Sequence, residues 1–433
     1  MRSPSLSYLY LKGLPIVTNA TCDILASYCQ KLISLDVGRC PNMDAEGVKA
    51  FANAAIGRHQ HLPLKAIRLS GLKFVDDDTL TALARAAPFL ETLDLSYTRQ
   101  LHNSALEAFI ACEEAEEAAS LGVSTFILNA REAGRDPTDS GKYKRRRTRL
   151  RHLSLSCCML LTDTACSNLA HSVPDLETLE LAGIGTDLGD EGLVRLFTTT
   201  PKIRCIDLED ASSITDAVLA AITPSEPPEA ETAHVIEPGR ALEHLVISHA
   251  LNVSNDALIS LIQRCIRLRV VEADNTHIGT SVLKEFVRLS RQRMMSNAKI
   301  VAVDCREISE PVVKELSSMT RPRLGWRAYS ARKLKYLDGR DGDLEDLKVG
   351  GQDECDDKRV VLKSFYSWQA VDTVNAARDK RHKRRKANDS ASSTASQNSR
   401  IITMRWWSPG GRRTTNVTPP NVDINNNEGC III

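Results

Sequence analysis

Residues 6–11, Leu-Ser-Tyr-Leu-Tyr-Leu, and residues 32–37, Leu-Ile-Ser-Leu-Asp-Val, share one spacing: an apolar residue followed three and five positions later by two more. The shift between them is 26 residues. Outward from this pair the triplet returns at Leu64 (with Ile67, Leu69), Leu90 (Leu93, Leu95), Leu150 (Leu153, Leu155), Leu176 (Leu179, Leu181) and Ile203 (Ile206, Leu208). Leu242 (Leu245, Ile247) and Leu268 (Val271, Ala273) continue it, and Ala298 (Val301, Val303) is a worn tenth copy. Self-similarity at a fixed period of this length marks an array of supersecondary units rather than ordinary globular domains.

A second signature follows each triplet: an apolar residue, a short polar one, then a run at helical spacing. Examples are Val17-Thr18-Asn19, Val75-Asp76-Asp77, Leu161-Thr162-Asp163, Ile214-Thr215-Asp216 and Val253-Ser254-Asn255. Short polar side chains there can accept hydrogen bonds from the unpaired N–H groups of a helix's first turn, so they read as N-caps. Leu80 with Leu83, Val218 with Ile222 and Leu258 with Leu261 then give each helix an apolar face. One strand and one helix in 26 residues cannot bury that face alone, so neighbouring units must stack. The expected fold is an α/β solenoid of about ten units over residues 5–318, with a curved parallel sheet inside and helices outside.

The period is broken by insertions at 110–149, which opens with an acidic stretch around Glu113, and at 223–241, which is rich in Pro and Glu. Both are expected to leave the solenoid as exposed excursions. Residues 319–378 are expected to cap the last repeat, with Trp368, Val371 and Val374 near one helical face; residues 379–433 turn basic and polar and are expected to be disordered.

Composition narrows the function. The chain has 433 residues, 42% of them hydrophobic, and a formal net charge of +1, so no global field draws it to nucleic acid or membrane. No apolar run approaches the ~18 residues of a membrane helix. The 12 cysteines include no Cys-x-x-Cys pair and read as reduced, buried thiols. Cytoplasm and nucleus are the expected locations. No motif for nucleophilic, phosphate-cradling or metalloprotease chemistry occurs; Gly183-Ile184-Gly185 lacks the third glycine of a dinucleotide fingerprint and reads as a turn. His59 and His61 have no partner at metal spacing. No catalytic residue, metal or cofactor is expected.

What a solenoid offers is its concave sheet, where the residues between the strand leucines face outward. Four residues after the first apolar position stand Tyr10, Asp36, Arg68, Asp94, Ser154, Glu180, Asp207, Val246, Glu272 and Ala302; two further on come Glu209, Asp274 and Asp304. The second half of this face is acidic and is expected to take a protein substrate with a basic surface. The competing reading is that Leu-Asp-Leu is simply a common repeat composition. Two basic clusters, Lys142 to Arg151 and Lys380 to Lys386, read either as import signals or phosphate patches, or as solvated charge runs; a base-stacking nucleic-acid site is not expected. The final Cys430-Ile431-Ile432-Ile433 matches a prenylation box, which predicts a geranylgeranyl group on Cys430 and a membrane-associated fraction.

On these triplets the chain resembles the cysteine-containing class of leucine-rich repeats. In that class a Cys falls eight residues after the first Leu, as at Cys40 and Cys158, and another precedes the next strand, as at Cys29 and Cys265; Thr98, Ala211, Ala250 and Thr276 hold the eighth position elsewhere. Together with the Ile-Thr-Asp step, this is similar to the F-box/leucine-rich-repeat proteins, and the run Arg405-Trp406-Trp407 looks like tails of fungal members. The resemblance implies a substrate receptor of SCF-type ubiquitin ligases. It also implies an F-box before the repeats, yet Met1 stands only five residues before Leu6; adaptor and cullin contact is expected only if an F-box precedes this chain. The alternative is a free-standing repeat scaffold.

Overall fold

The computed structural model describes residues 5–112, 123–225, 237–321 and 357–368. The chain divides into two compact units, Met1–Ala376 and Ala377–Ile433. The second unit, with the Lys380 cluster and Cys430, lies outside the described residues, as do the acidic stretch near Glu113 and most of the segment read as a cap.

The repeat strands are β1 (Tyr8–Tyr10), β2 (Ser34–Asp36), β3 (Ala66–Arg68), β4 (Thr92–Asp94), β7 (His152–Ser154), β8 (Thr178–Glu180), β9 (Cys205–Asp207), β10 (His244–Val246), β11 (Val270–Glu272) and β12 (Lys299–Ala302). An eleventh, β13 (Val361–Ser364), extends the sheet from within the segment read as a cap. They lie in sequence order in one sheet, every neighbouring pair parallel. β5 (Thr125–Asn129) and β6 (Lys142–Arg146) form a separate antiparallel hairpin inside the first insertion.

Register follows burial. Leu35, Ile67, Leu93, Leu153, Leu179, Ile206, Leu245 and Val271 are successive partners in the ladder, and all are buried; Leu9, in the edge strand, is half-buried. Side chains alternate along a strand, so a one-residue slip would turn this column to solvent. The tenth copy corrects the sequence reading by one residue. Val271 pairs with Ile300, not Val301, so the triplet is Asn297, Ile300, Ala302 and its outward residue is Val301 rather than Ala302. Cys305 then falls eight residues after Asn297, and its Sγ donates to Ala273 O at 3.2 Å. Cys40 and Cys158 do the same toward Leu11 O and Leu95 O, both at 3.1 Å. In these three repeats the thiol ties the repeat to a carbonyl of the one before.

The Thr-Asp step has two functions. The first residue caps its own helix: Asp76 accepts the Thr79 N–H at 2.8 Å and Ser254 the Ala257 N–H at 3.2 Å. The second reaches forward to the next repeat, where Asn19, Asn103, Asp190, Asp216 and Asn255 accept the backbone N–H of Asp44, Thr162, Thr215, Ser254 and Gly279. A second ladder, made of side chains, therefore runs beside the strands.

The first insertion departs from the expected excursion. Arg145 and Arg146 are only 3% and 8% exposed. Arg146 donates to Phe109 O and Ala84 O, carbonyls in the last turns of the helices Asn103–Ile110 and Asp77–Ala86. Helix C-termini leave such carbonyls without intrahelical partners and favour a cation there, so the insertion folds back as a cap on two helices. Arg145 pairs with Glu107 at 2.7 Å. The rings beside this cluster, Tyr143, Phe126 and Phe89, lie under Arg145, Arg147 and Arg149 at 5.8, 5.8 and 4.5 Å. These two arginines are structural, and the reading of the cluster as a solvated run does not hold for them.

Candidate functional site: the concave sheet and its rim

Parallel pairing sets the outward residues of consecutive strands side by side, about 4.8 Å apart. A residue in the left-handed region then turns the chain off each strand. It stands seven positions after the first triplet residue in nine repeats: Gly13, Arg39, Gly71, Tyr97, Cys157, Gly183, Asp210, His249 and Asn275, with φ between 50° and 74°. Gly183 is thus a repeat turn. The residues around this turn form the rim of the concave face.

The predicted column divides into three behaviours. Asp36 is 7% exposed, and its Oδ1 accepts the Gly38 N–H at 3.1 Å; burial removes it from any contact surface, which corrects the sequence reading. Asp94 likewise accepts from the backbone and hydroxyl of Ser96 at 2.9 and 2.6 Å. The aspartate of Leu-Asp-Leu therefore closes the turn that follows it, and Asp207 does so for Glu209 N–H at 3.1 Å. Tyr10, 62% exposed, and half-buried Arg68 face outward in the first half.

In the second half, Glu180, Asp207, Glu209, Glu272 and Asp274 gather on β8, β9, β11 and the turns after them. Burial, reinforced by repulsion from Glu180 and Glu272, pushes the Asp207 carboxyl up against the pull of the Glu209 N–H. Desolvation and the charges of Asp207 and Asp210 raise Glu209. Burial raises Asp274 too, with Glu272 and Asp304 adding to it, although its Oδ1 accepts the Val303 N–H at 2.6 Å. Basic groups flank this cluster: His152 lies 3.8 Å from Glu180, and His244 and Lys299 lie 3.3 and 3.1 Å from Glu272. Asp207 and Glu209 make no ion pair among the described residues. Carboxylates that repel one another in partly dry surroundings are stabilised by an arriving cation.

A charge column one residue after the first triplet position, from Lys65 to Arg269, was not read from the sequence, although that spacing would have exposed it. Lys65 meets Glu91 at 2.9 Å, Arg151 meets Glu177 at 2.5 Å, Arg204 bridges Glu177 and Glu243 at 3.7 and 2.6 Å, and Arg269 meets Glu243 at 2.7 Å. The signs alternate across seven repeats, so this edge is satisfied internally.

A family model described as a leucine-rich repeat matches residues 28–52. No curated protein matches the chain. Among solved structures, a chain of the yeast Rad7–Elc1 complex is similar at 15% identity and a TM-score of 0.38, over 71% of this chain and 78% of that one. A chain of the TLR13–ssRNA13 complex is similar at 15% identity and a TM-score of 0.35, over 71% and 40%. With its succession of parallel strands and outer helices, the chain is a leucine-rich-repeat solenoid, a protein-interaction module.

Proposed function

We propose that this solenoid is the substrate-recognition part of an SCF-type ubiquitin-ligase receptor, and that it holds a protein with a basic surface against Glu180, Asp207, Glu209, Glu272 and Asp274. The observation that carries the binding reading is the acidic cluster itself: five carboxylates within four consecutive strands and their turns, three of them held above their ordinary pKa by desolvation and mutual repulsion. Lysine and arginine side chains of a partner relieve that repulsion, and salt weakens the effect. The ligase role is supported by the repeat resemblance.

Two measurements test the two levels separately. Anisotropy of a labelled Lys/Arg-rich peptide should report binding by the full chain, weakened about tenfold by Glu180→Lys with Glu209→Lys and Glu272→Lys. Unchanged binding rejects the acidic face. Co-purification of a cullin and its adaptor with the protein tagged at its chromosomal locus, so that any preceding F-box is retained, supports the receptor reading; their absence alongside intact peptide binding leaves a free-standing scaffold.

A further inference from the structure

Several cations elsewhere on the solenoid are paired, among them Lys65 with Glu91, Lys49 with Asp78, Arg204 with Glu243 and Arg269 with Glu243. Five on the rim of the first four repeats are not. Lys12, Arg39, Arg68, Lys73 and Arg99 make no ion pair among the described residues. The carboxylates nearest in the repeat pattern, Asp36 and Asp94, are occupied by the backbone N–H groups of Gly38 and Ser96.

Aromatic side chains stand among these cations. Tyr8, Tyr10, Phe74 and Tyr97 are all exposed. The Arg39 guanidinium lies over the Tyr97 ring, 4.8 Å from its centroid. It gets there across Gly71, where a Cβ would stand 3.3 Å from Arg39 Cγ; the missing side chain leaves the path open. Arg39 and Tyr97 hold φ of 55° and 63°, a conformation that glycine adopts more freely and that neighbouring repeats fill with Gly13 and Gly71; Phe74, three residues after Gly71, holds φ of 59°.

We infer that this rim is a second docking surface, opposite in sign to the acidic half, and that it takes an acidic segment of a protein partner carrying apolar or aromatic residues among its carboxylates. Unpaired Lys and Arg supply the charge complement, and exposed rings supply contact area to the residues between. A polynucleotide fits less well. β8 lies two strands beyond β4, about 10 Å away, so a phosphate chain following the sheet would meet Glu180, Asp207 and Glu209. A polypeptide can confine its negative charge to a short stretch.

The inference is independent of the acidic half, and the test keeps the two apart. Three labelled probes are titrated against the full chain: an acidic peptide of about eight residues alternating Glu and Phe, long enough when extended to cross four strands; a Lys/Arg peptide of the same length; and a single-stranded RNA of similar span. The acidic peptide should bind, and Arg39→Glu with Lys73→Glu and Arg99→Glu should weaken it about tenfold while leaving the basic peptide's affinity unchanged. The milder Arg99→Gln, with an unchanged melting midpoint, should move the acidic peptide in the same direction. Acidic-peptide binding no tighter than that of a Gly/Ser peptide, or insensitive to these changes, overturns the inference. RNA binding tighter than that of the acidic peptide also overturns it, and assigns the rim to nucleic acid.

Discussion

Asp190 holds Thr215 with both carboxylate oxygens: Oδ1 accepts the backbone N–H at 2.7 Å and Oδ2 the hydroxyl at 2.6 Å. Thr215 Oγ1 in turn accepts the Ala217 N–H at 3.3 Å, so one carboxylate fixes the start of its neighbour's helix. Asp190→Ala leaves a partly buried donor without its partner and should cost about 2 kcal/mol; Asp190→Asn, which keeps an acceptor, should cost less. Urea midpoints of the two variants check the order, and equal losses would place the effect elsewhere.

The apolar ladder makes a larger demand. Leu179 is fully buried between Leu153 and Ile206, so Leu179→Asp should cost several kcal/mol by forcing a carboxylate between neighbouring repeats. The same ladder distinguishes the two registers of β12. Ile300→Ala should cost about 2–4 kcal/mol, and Val303→Ala, at a half-buried site after the strand, under about 1. The reverse order would restore the Ala298, Val301, Val303 triplet.

Core positions were legible in the sequence because they repeat, and they repeat because each strand must present the same face to its neighbours. The tenth triplet misled because Ala298, Val301 and Val303 are as apolar as the true set, whereas Asn297 is not; Cys305, eight residues on, carried the correct register. β13 follows no step of 26 residues, so periodicity could not find it. Arg145 and Arg146 looked like a charge run because their partners, the carbonyls of two helix ends and Glu107, are distant in sequence. Asp36 shows the converse: its position matched a surface column, but it is buried, with its Oδ1 accepting the Gly38 N–H.

Arg146 offers a direct test of the folded-back insertion. Arg146→Met keeps much of the side-chain volume but withdraws the donors from Phe109 O and Ala84 O, and should cost about 3 kcal/mol. Amide exchange should rise in the last turns of the helices Asp77–Ala86 and Asn103–Ile110. Exchange confined to the hairpin would mean that Arg146 serves the insertion alone.

Glu107 makes stability depend on pH in a definite direction. Burial would raise its carboxyl, but hydrogen bonds from Arg145 and Arg135 outweigh burial and hold it below its ordinary 4.5. A carboxyl whose pKa is lowered on folding stabilises the fold in full above its unfolded value, and the contribution disappears as pH falls through the folded one. Glu107→Gln should therefore cost about 2 kcal/mol at neutral pH, because it leaves the nearly buried Arg145 without its counter-charge. The gap between the two proteins should narrow steadily below about pH 4.5, where the native carboxylate begins to lose its advantage. Denaturation midpoints measured for both proteins from pH 7 downward check this, and a gap that stays constant into the acid range would show that packing, not the ion pair, makes Glu107 matter.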